Sequence, residues 1–447
     1  MRRIAKDQYT QQSETIQKFL GEVAKEQGQA SGFVQRRSKM TAEVFAQTMI
    51  LGMLENPEAT LNDLVQISAR LGVEISEPGL HGRVNDSAVE LMKGLLESGL
   101  KHFVAQGAVP AKVLEYFTSV DILDSTQIIL PAALAEHFAG HNSPGTEAAL
   151  KMHLSMDYRR GNLRAIRFRA GREPDQACDL AAQLARPGSL QLFDLGYMAL
   201  KRLQQIEEAG AYFLTPFKAR MNVYAHPNDT KPLDLAKWLE AHANAKGEVD
   251  EWVYVGADVR LPVRLVAWRF PQAQAEQRRR RARRNARKKR RGVSQRHLRL
   301  LGWGMLISNV PAGLDAKALV TLYRVRWQIE LLFKLCKSHF RLAAVRPWRR
   351  QRLLCQIYAR LIGVVLFQWL IVPWRFAAQG ELSPTKAYRI VRRQALAMVH
   401  SLRAAGAGLS AILAEIRRDF LRYALKSPRN KSPSTFDRLR QLDVQVA

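Results

Sequence analysis

Three carboxylates stand inside apolar stretches that lie far apart in the chain. Asp124 is in "VDILDSTQ", Asp194 is in "LFDLGY", and Glu330 is in "QIELL". A buried carboxylate is costly unless it is paired, hydrogen-bonded or bound to a metal ion. Three acidic oxygen donors with few competing His or Cys ligands suit Mg²⁺ or Mn²⁺. Two such ions can activate a nucleophile beside a phosphodiester and steady the leaving oxygen on its other side.

Each carboxylate also has an ordinary structural interpretation. Asp194 alone reads as a bulge, turn or capping residue at the end of a strand, and Asp124 could accept local backbone hydrogen bonds. Glu330 could pair with Arg326 or Lys334 across one helical turn. Taken singly, these interpretations are favoured, so the metal site depends on the three carboxylates meeting at one end of a sheet.

The segment "LDAKALVTLYRVRWQIELLFKLCKSHF" predicts one long helix that begins near an Asp315 cap. At about 100° per residue, Tyr323, Arg326, Glu330 and Lys337 would share roughly one third of its circumference. The spacing indicates a metal ligand flanked by phosphate ligands. In that hypothesis Arg326 and Lys337 hold phosphates and Tyr323 donates its hydroxyl. The alternative is a salt-bridged helix with the tyrosine packed on its flank.

The charge of the chain indicates a polyanionic partner. It has 69 Lys and Arg residues against 40 Asp and Glu residues, a net charge of +29 at pH 7. Such a field attracts nucleic acid, an anionic membrane or an acidic protein, and an excess spread through a large globular chain favours nucleic acid.

An arginine-rich run stands out within this charge. Eleven of the fourteen residues at 278–291 are Arg or Lys. We expect it to contact DNA without reading sequence; the alternatives are a solvated charge block or an exposed helix. Trp303 and Trp327 could stack on an unpaired base, although core packing is favoured for Trp327.

Cysteine content and apolar patterning bear on the compartment. Three cysteines, an odd and sparse set, argue against a disulfide framework and against a structural zinc site, and they fit a reducing cytoplasm. The first residues lack the apolar run of a signal peptide. The apolar stretch at 361–374 is short and contains Gln368 and Pro373, which favours a buried helix over a membrane span.

The local patterns predict a helical start followed by a mixed sheet. Residues 60–96 resemble helix-turn-helix spacing, with Arg70, His81 and Arg83 as candidates to face DNA; an ordinary three-helix packing unit is equally favoured. From 118 onward, β-branched runs alternate with helical segments, which indicates a mixed α/β sheet. Two runs, at 251–259 and 261–270, predict a hairpin.

At this point the sequence resembles a known family. The spacing Y-x(2)-R-x(3)-E-x(6)-K, here Tyr323, Arg326, Glu330 and Lys337, is similar to the signature of bacterial insertion-sequence transposases of the IS-four type, a branch of the DDE transposases. "LDSTQ" resembles the family's first catalytic strand, which places the first metal-binding aspartate on Asp124 rather than on a neighbouring one.

"LFDLGYMALKRLQQIEEAGAYFLTPFKAR" resembles the block that holds the second aspartate, which would be Asp194. "KMHLSMDYRRG" is similar to the strand between the two. The likeness covers about 118–340. Many members have Arg after the second aspartate, where this chain has Leu195.

The resemblance implies an RNase H-like α/β core with a mostly β insertion, flanked by helical regions. The implied domains are a helical DNA-binding domain, a catalytic core, an insertion domain and a helical C-terminal region: 1–112, 113–216 with 303–345, 217–302 and 346–447. It implies that Asp124, Asp194 and Glu330 bind two Mg²⁺ or Mn²⁺ ions, and that no other cofactor is needed.

The implied activity is cut-and-paste transposition of double-stranded DNA, acting on terminal inverted repeats and target DNA. It also implies a homodimer that works on two element ends in the cytoplasm, with no membrane partner; relatives can pass through a hairpin end. The alternatives are a non-catalytic regulator derived from a transposase, or a metal-dependent nuclease of the same fold that cuts without strand transfer.

Overall fold

The computed structural model describes residues 2–36, 38–101, 109–141, 143–344, 349–377, 380–405, 407–427 and 432–442. The chain divides into two compact units. The first, called the helical unit here, comprises Met1–Pro110, Ser125–Glu173 and Gln328–Lys431; the second, called the sheet unit, comprises Ala111–Asp124, Pro174–Trp327 and Ser432–Ala447. The domain bounds expected from the sequence stay a prediction.

Strands are found in both units. They are β1 (Val120–Leu130), β2 (Ala148–Asp157), β3 (Asn162–Ala170), β4 (Leu190–Phe193), β5 (Tyr212–Pro216), β6 (Val223–Tyr224), β7 (Glu248–Val255), β8 (Leu261–Arg269), β9 (Trp303–Ser308), β10 (Phe376–Ala377) and β11 (Gly380–Glu381).

The α-helices, in chain order, are α1 (Arg2–Lys18), α2 (Ala24–Ala30), α3 (Ala42–Glu55), α4 (Leu61–Arg70), α5 (Glu77–Arg83), α6 (Asp86–Lys101), α7 (Leu180–Leu184), α8 (Leu200–Glu208), α9 (Leu235–His242), α10 (Gln272–Lys288), α11 (Gln295–Leu300), α12 (Ala316–Arg324), α13 (Trp327–Ser338), α14 (Arg350–Ile371), α15 (Pro384–Arg403), α16 (Leu409–Tyr423) and α17 (Thr435–Leu442). A turn of π-helix, Phe19–Val23, joins α1 to α2.

The sheet unit contains the mixed sheet that the sequence predicted. Its strands run in the order β1-β4-β5-β9-β8-β7-β6. The β1, β4 and β5 strands are parallel, and the remaining neighbours are antiparallel. All four residues of β4, "LQLF", are buried, as expected for a parallel strand covered on both faces. The predicted hairpin is confirmed as β7 and β8, with Val255 opposite Leu261.

The helical unit is built around α14. This helix packs against α3 and α6, and nearly every residue from Leu353 to Ile371 is buried. Residues Arg350–Trp374 are long and apolar enough to cross a membrane, yet 94% of the apolar window is buried inside the protein. The expected buried helix is therefore confirmed, although the helix extends well beyond the apolar stretch that suggested it. In the same unit β2 and β3 form an antiparallel pair.

Side-chain caps begin two helices in the first hundred residues. Thr60 and Asp63 form a reciprocal capping box at α4, and Ser76 caps α5 through the amide of Gly79. Arg83, expected to face DNA, donates to the carbonyls of Phe33 and Met40 at 3.4 and 3.1 Å. Its guanidinium also lies 4.2 Å from the centre of the Phe33 ring. Arg83 thus ties two segments of the protein together, as in the alternative of an ordinary packing unit, and its contact with DNA stays a prediction.

The segment 217–302 differs from the mostly β insertion that was expected. It contains β6, β7 and β8, but also α9, α10 and α11, and the helices cover more residues than the strands. The arginine-rich run forms most of α10. Arg and Ala are both strong helix formers, which accounts for a helix where the resemblance implied strands.

Candidate active site

Pairing between two parallel strands brings Asp124 and Asp194 side by side. In the register of β1 and β4, Leu123 lies opposite Phe193. The next residues are the two aspartates, Asp124 within β1 and Asp194 directly after β4, so they lie at the same level of the two neighbouring strands. Neighbouring strands lie about 4.8 Å apart, which puts both carboxylates at the carboxyl end of the parallel part of the sheet.

Asp194 is fixed by the turn that follows it. Its side chain accepts a hydrogen bond from the amide of Gly196 at 2.9 Å and caps the 3₁₀ turn Leu195–Tyr197. A Cβ on Gly196 would lie 3.0 Å from a carboxylate oxygen of Asp175 and 3.1 Å from one of Asp194. Glycine therefore allows a second carboxylate to approach this turn. Sequence reasoning missed Asp175, because a lone Asp after a proline carries no signal beyond a turn.

Arg326 forms an ion pair with Asp124. Its guanidinium lies 2.7 Å from the carboxylate, and the two side chains are 18% and 14% exposed. A charge-assisted hydrogen bond of this length is among the stronger polar contacts in proteins. Asp121, the other aspartate of the strand, is buried and accepts hydrogen bonds from Ser119 and Gln191. Because side chains alternate along a strand, Asp121 and Asp124 face opposite sides of the sheet.

The predicted single helix is broken at Arg326. The structure has α12 and α13, separated by a turn at Val325 and Arg326. The amides of these two residues bond to Leu322 and Tyr323, three residues back rather than four. Such bonds tighten the backbone rotation relative to an α-helix. The prediction that Tyr323 and Arg326 share one face of a continuous helix with Glu330 and Lys337 is therefore wrong across this turn.

Tyr323 belongs to the same cluster as the two aspartates. Burial is the main reason that the pKa of its hydroxyl is raised above the ordinary value. The charge and hydrogen bond of Arg326 act in the opposite direction, whereas the carboxylates of Asp194 and Asp124 raise the pKa further. The hydroxyl is therefore protonated at neutral pH and available as a donor. Tyr323, Arg326, Asp124 and Asp194 interact within the sheet unit.

Glu330 and Lys337 lie on α13, in the part of that helix that belongs to the helical unit. Both side chains are half-buried. Burial is the main cause of the lowered pKa of Lys337, which the neighbouring Cys336 partly offsets. Glu330 follows Arg326 by four residues, but Arg326 lies in the turn between α12 and α13, so helical spacing does not relate the two side chains.

Metal binding can be assessed from the donor set. Among the residues that the structure describes, no group of three or more His, Cys, Asp or Glu side chains is close enough together to hold an ion. The pair formed by Asp124 and Asp194 offers hard oxygen donors of the kind that Mg²⁺ prefers. The pair fits such an ion, and further ligands would have to complete its coordination.

The two tryptophans considered as base-stacking candidates differ in exposure, and one of them was expected to be buried. Trp327, expected in the core, has 55% of its surface exposed, and it directly follows Arg326. At about 100° per residue, Trp327 lies roughly opposite the buried residues Leu322 and Ile329, so a continuous helix would expose it as well. Trp303, in contrast, is buried in β9, with Arg269 5.0 Å from its ring centre.

A buried arginine supports the turn after Asp194. Arg202 on α8 donates to the carbonyls of Tyr197, Gln176 and Cys178, the last two at 2.8 and 2.7 Å. Burial is the main cause of the lowered pKa of its guanidinium. It thus joins the segment after Asp194 to the segment that holds Asp175. Nothing in the sequence distinguishes this arginine from the many surface ones.

Comparisons with known proteins identify the family of the chain. The family model described as "Transposase DDE domain" matches residues 115–366, which include all six predicted site residues. The chain is 25% identical to the transposase for insertion sequence element IS231B of Bacillus thuringiensis subsp. berliner, over 94% of this chain and 91% of that protein. It is 24% identical to the transposase for IS1151 of Clostridium perfringens, over 93% and 92%.

One solved structure also aligns with most of the chain. It is described as a cryo-EM structure of a piggyBac transposase synaptic complex with hairpin DNA. The alignment covers 97% of this chain and 85% of that chain, with a TM-score of 0.45 and 11% identity.

Proposed function

Since the chain belongs to the family of proteins with a transposase DDE domain, and is a DDE transposase, we propose that it moves its own insertion sequence by a cut-and-paste reaction. It binds the terminal inverted repeats, cuts the phosphodiester at each element end, and joins the freed 3′-OH to target DNA. The single observation that carries the proposal is the placement of Asp124 and Asp194 at the same level of two neighbouring parallel strands.

The proposed catalytic residues are Asp124, Asp194 and Glu330, which would hold two Mg²⁺ or Mn²⁺ ions. When bound, the ions supply an activated hydroxyl nucleophile and stabilise charge on the leaving oxygen. The aspartates are held for this role by the strand register and by the turn at Gly196. Glu330 is supported by its spacing from Tyr323, Arg326 and Lys337 in the sequence, which matches the signature that the family resemblance rests on.

The proposed DNA ligands are Tyr323, Arg326 and Lys337. Arg326 neutralises Asp124 in the free protein, and a scissile phosphate would compete with that carboxylate for the guanidinium. Tyr323 keeps its proton because its pKa is raised, so it can donate to a phosphate oxygen. Lys337 adds a half-buried cation at a site where its desolvation favours pairing with an anion.

The partners proposed are double-stranded DNA and a second copy of this chain. Two element ends must be cut and joined together, so a homodimer in the synaptic complex is the simplest assembly. We place the reaction in the cytoplasm, on chromosomal DNA. The net charge of +29 supports a DNA partner, because Lys and Arg side chains release counterions from the phosphate backbone.

Cleavage of labelled element ends tests the proposal. Duplexes from the inverted repeats that flank the gene are incubated with Mg²⁺ and either wild type or Asp124→Asn, Asp194→Asn or Glu330→Gln. Each substitution is expected to slow cutting by a thousandfold or more, on the order of several kcal/mol of lost ion stabilisation, with end binding retained. Glu251→Gln, at an exposed position on β7, is the matched control.

The same experiment separates the alternatives. If one of the variants cuts at the rate of the control, the substituted residue is not part of the catalytic site. A wild-type protein that cuts but never joins a precut end to target DNA is a nuclease, and one that binds ends but neither cuts nor joins is a regulator.

A further inference from the structure

A strongly basic cleft lies in the sheet unit, at the C-terminal end of α10. It has a volume of about 860 Å³ and is formed by the last turns of α10, the following turn, the beginning of α11 and Arg220. Six of the residues that line it are basic: Arg220, Lys288, Lys289, Arg291, Arg296 and His297. The other lining residues are small or polar, apart from Val293 and Leu300.

The basic residues of α10 fall into two groups. Those at its start have protein partners: Arg278 lies 4.5 Å from the ring centre of Phe270, Arg279 donates to the carbonyl of Leu298 at 3.0 Å, and Arg280 lies 3.8 Å from Glu276. From Arg281 onward the side chains project from the helix without such partners. Within the described residues, no side-chain hydrogen bond or ion pair is recorded for Arg281, Arg283, Arg284, Arg287, Lys288, Lys289, Arg290 or Arg291.

The sequence also leaves this charge uncompensated. No Asp or Glu occurs between Glu276 and Asp315. Like charges one turn apart on a helix destabilise it by roughly 0.2–0.5 kcal/mol per pair. Arg280, Arg284 and Lys288 are spaced in this way. The fold therefore carries a repulsion that a bound polyanion would relieve.

Alanine holds the helix in place and leaves the basic side chains outside. Ala275 is buried, and Ala282 and Ala286 are half-buried, at positions one or two turns apart on one face. The remaining positions of α10 carry Arg, Lys, Gln and Asn, apart from Ala273 and Glu276. A membrane-surface helix needs large apolar side chains on one face, and α10 has none. Its chemistry therefore fits phosphates rather than a lipid surface.

We propose that the cleft between α10 and α11 binds the sugar-phosphate backbone of duplex DNA without reading its sequence. The inference rests on the proposed function, because it takes the polyanion to be the DNA on which the enzyme acts. Guanidinium and ammonium groups that contact phosphates position a protein on DNA but carry no sequence information. The cleft would hold DNA outside the element ends, as target or flanking duplex, while the catalytic carboxylates act on the ends.

The salt dependence of binding tests this directly. Full-length protein is titrated with a fluorescent 30-base-pair duplex of unrelated sequence between about 50 and 200 mM NaCl, the range in which phosphate contacts dominate affinity. The test variant carries Lys288→Gln, Lys289→Gln, Arg291→Gln and Arg296→Gln. The logarithm of the association constant falls linearly as the logarithm of the salt concentration rises. Loss of four phosphate contacts makes this decline shallower by about three to four, since each contact contributes roughly 0.9 to its steepness. Lys289→Gln alone lowers it by about one.

A variant with the same loss of charge controls for the general field. It carries Lys18→Gln, Lys25→Gln, Lys237→Gln and Lys246→Gln, all at exposed positions outside the cleft, and it is expected to keep the wild-type slope. An unchanged slope in the test variant overturns the proposal, as does an equal decrease in the control. A decrease seen only with single-stranded RNA of the same phosphate number also overturns it, in favour of an RNA site.

Failure of the cleft and failure of the proposed function give different results. Asp124→Asn is expected to abolish cutting while keeping the full salt slope. If that variant still cuts, the proposed catalytic site is wrong, whatever the cleft variant does. If it does not cut and the cleft variant keeps its slope, only the cleft proposal is wrong.

Discussion

Arg326 donates a hydrogen bond of 2.7 Å to the carboxylate of Asp124, although 202 residues separate the two in sequence. The pair joins the turn after α12 to the strand β1. Both side chains are mostly buried, so water screens the interaction only in part. The contact holds a proposed metal ligand and a proposed phosphate ligand in one place before DNA arrives.

Removal of this arginine is expected to slow cutting more than it weakens end binding. Arg326→Gln leaves a mostly buried carboxylate without its strongest partner, which costs about 2 kcal/mol, or roughly 30-fold in the cleavage rate. The measurement is single-turnover cleavage of a saturating end duplex, beside a mobility-shift titration. Arg324→Gln, at an exposed position two residues earlier, should behave as wild type. Equal rates for the two variants would remove Arg326 from the site.

Tyr323→Phe is expected to lower cleavage by a factor that does not change with pH. The pKa of Tyr323 is raised, so its hydroxyl stays protonated throughout the range from pH 7 to pH 9. Loss of one hydrogen bond of about 1 kcal/mol gives roughly a fivefold decrease.

The measurement for Tyr323 is a pH profile of single-turnover cleavage. Tyr423→Phe, whose ring is 58% exposed, is the control and should match wild type. A wild-type to Tyr323→Phe ratio that collapses as the pH rises to 9 would mean that the hydroxyl ionises, and the assigned donor role would be wrong.

The sequence points to Asp124 and Asp194 because their signal is local. Each follows an apolar run, where an aspartate is costly unless it is paired, hydrogen-bonded or bound to a metal ion. The break at Val325 and Arg326 had no such signal, because neither proline nor glycine occurs near it. The exposure of Trp327, in contrast, follows from helical periodicity, which places it opposite Leu322 and Ile329.

Long-range contacts account for the other structural features that the sequence did not predict. The partner of Arg202 is the backbone of segments that the sequence places elsewhere, and main-chain carbonyls leave no trace in residue types. Composition alone also could not decide whether the arginine-rich run forms a helix or a solvated charge block. The alanines that hold it, Ala275, Ala282 and Ala286, are separated by arginines and form one face only once the helix exists.

Arg202 is expected to act as a positioning residue for Asp194. Arg202→Met leaves three carbonyls without their donor and should lower the free energy of unfolding by about 3 kcal/mol. Urea unfolding measures this, with Lys201→Met at the adjacent exposed position as the control. In Arg202→Lys the lysine reaches fewer of the carbonyls, so cutting should fall while binding of end duplexes is kept. If Arg202→Lys cuts normally, the arginine serves stability alone.

The three cysteines form no disulfide and are buried, and Cys336 gives a pH prediction of definite sign. Burial raises the pKa of its thiol from 9.0 to about 12. The unfolded chain therefore ionises first as the pH rises. The stabilisation is fully present below pH 9 and is lost between that value and about 12.

Between pH 9 and pH 10, each such thiol lowers the free energy of unfolding by up to about 1.4 kcal/mol per pH unit. Cys336→Ala should therefore show a shallower decline than wild type in urea unfolding at pH 8.5, 9.25 and 10. Ile329→Val, a small truncation at a buried position of the same helix, corrects for the packing change and should keep the wild-type slope. If Cys336→Ala declines as steeply as Ile329→Val, the thiol ionises equally easily in the folded and unfolded protein, and its burial does not protect it.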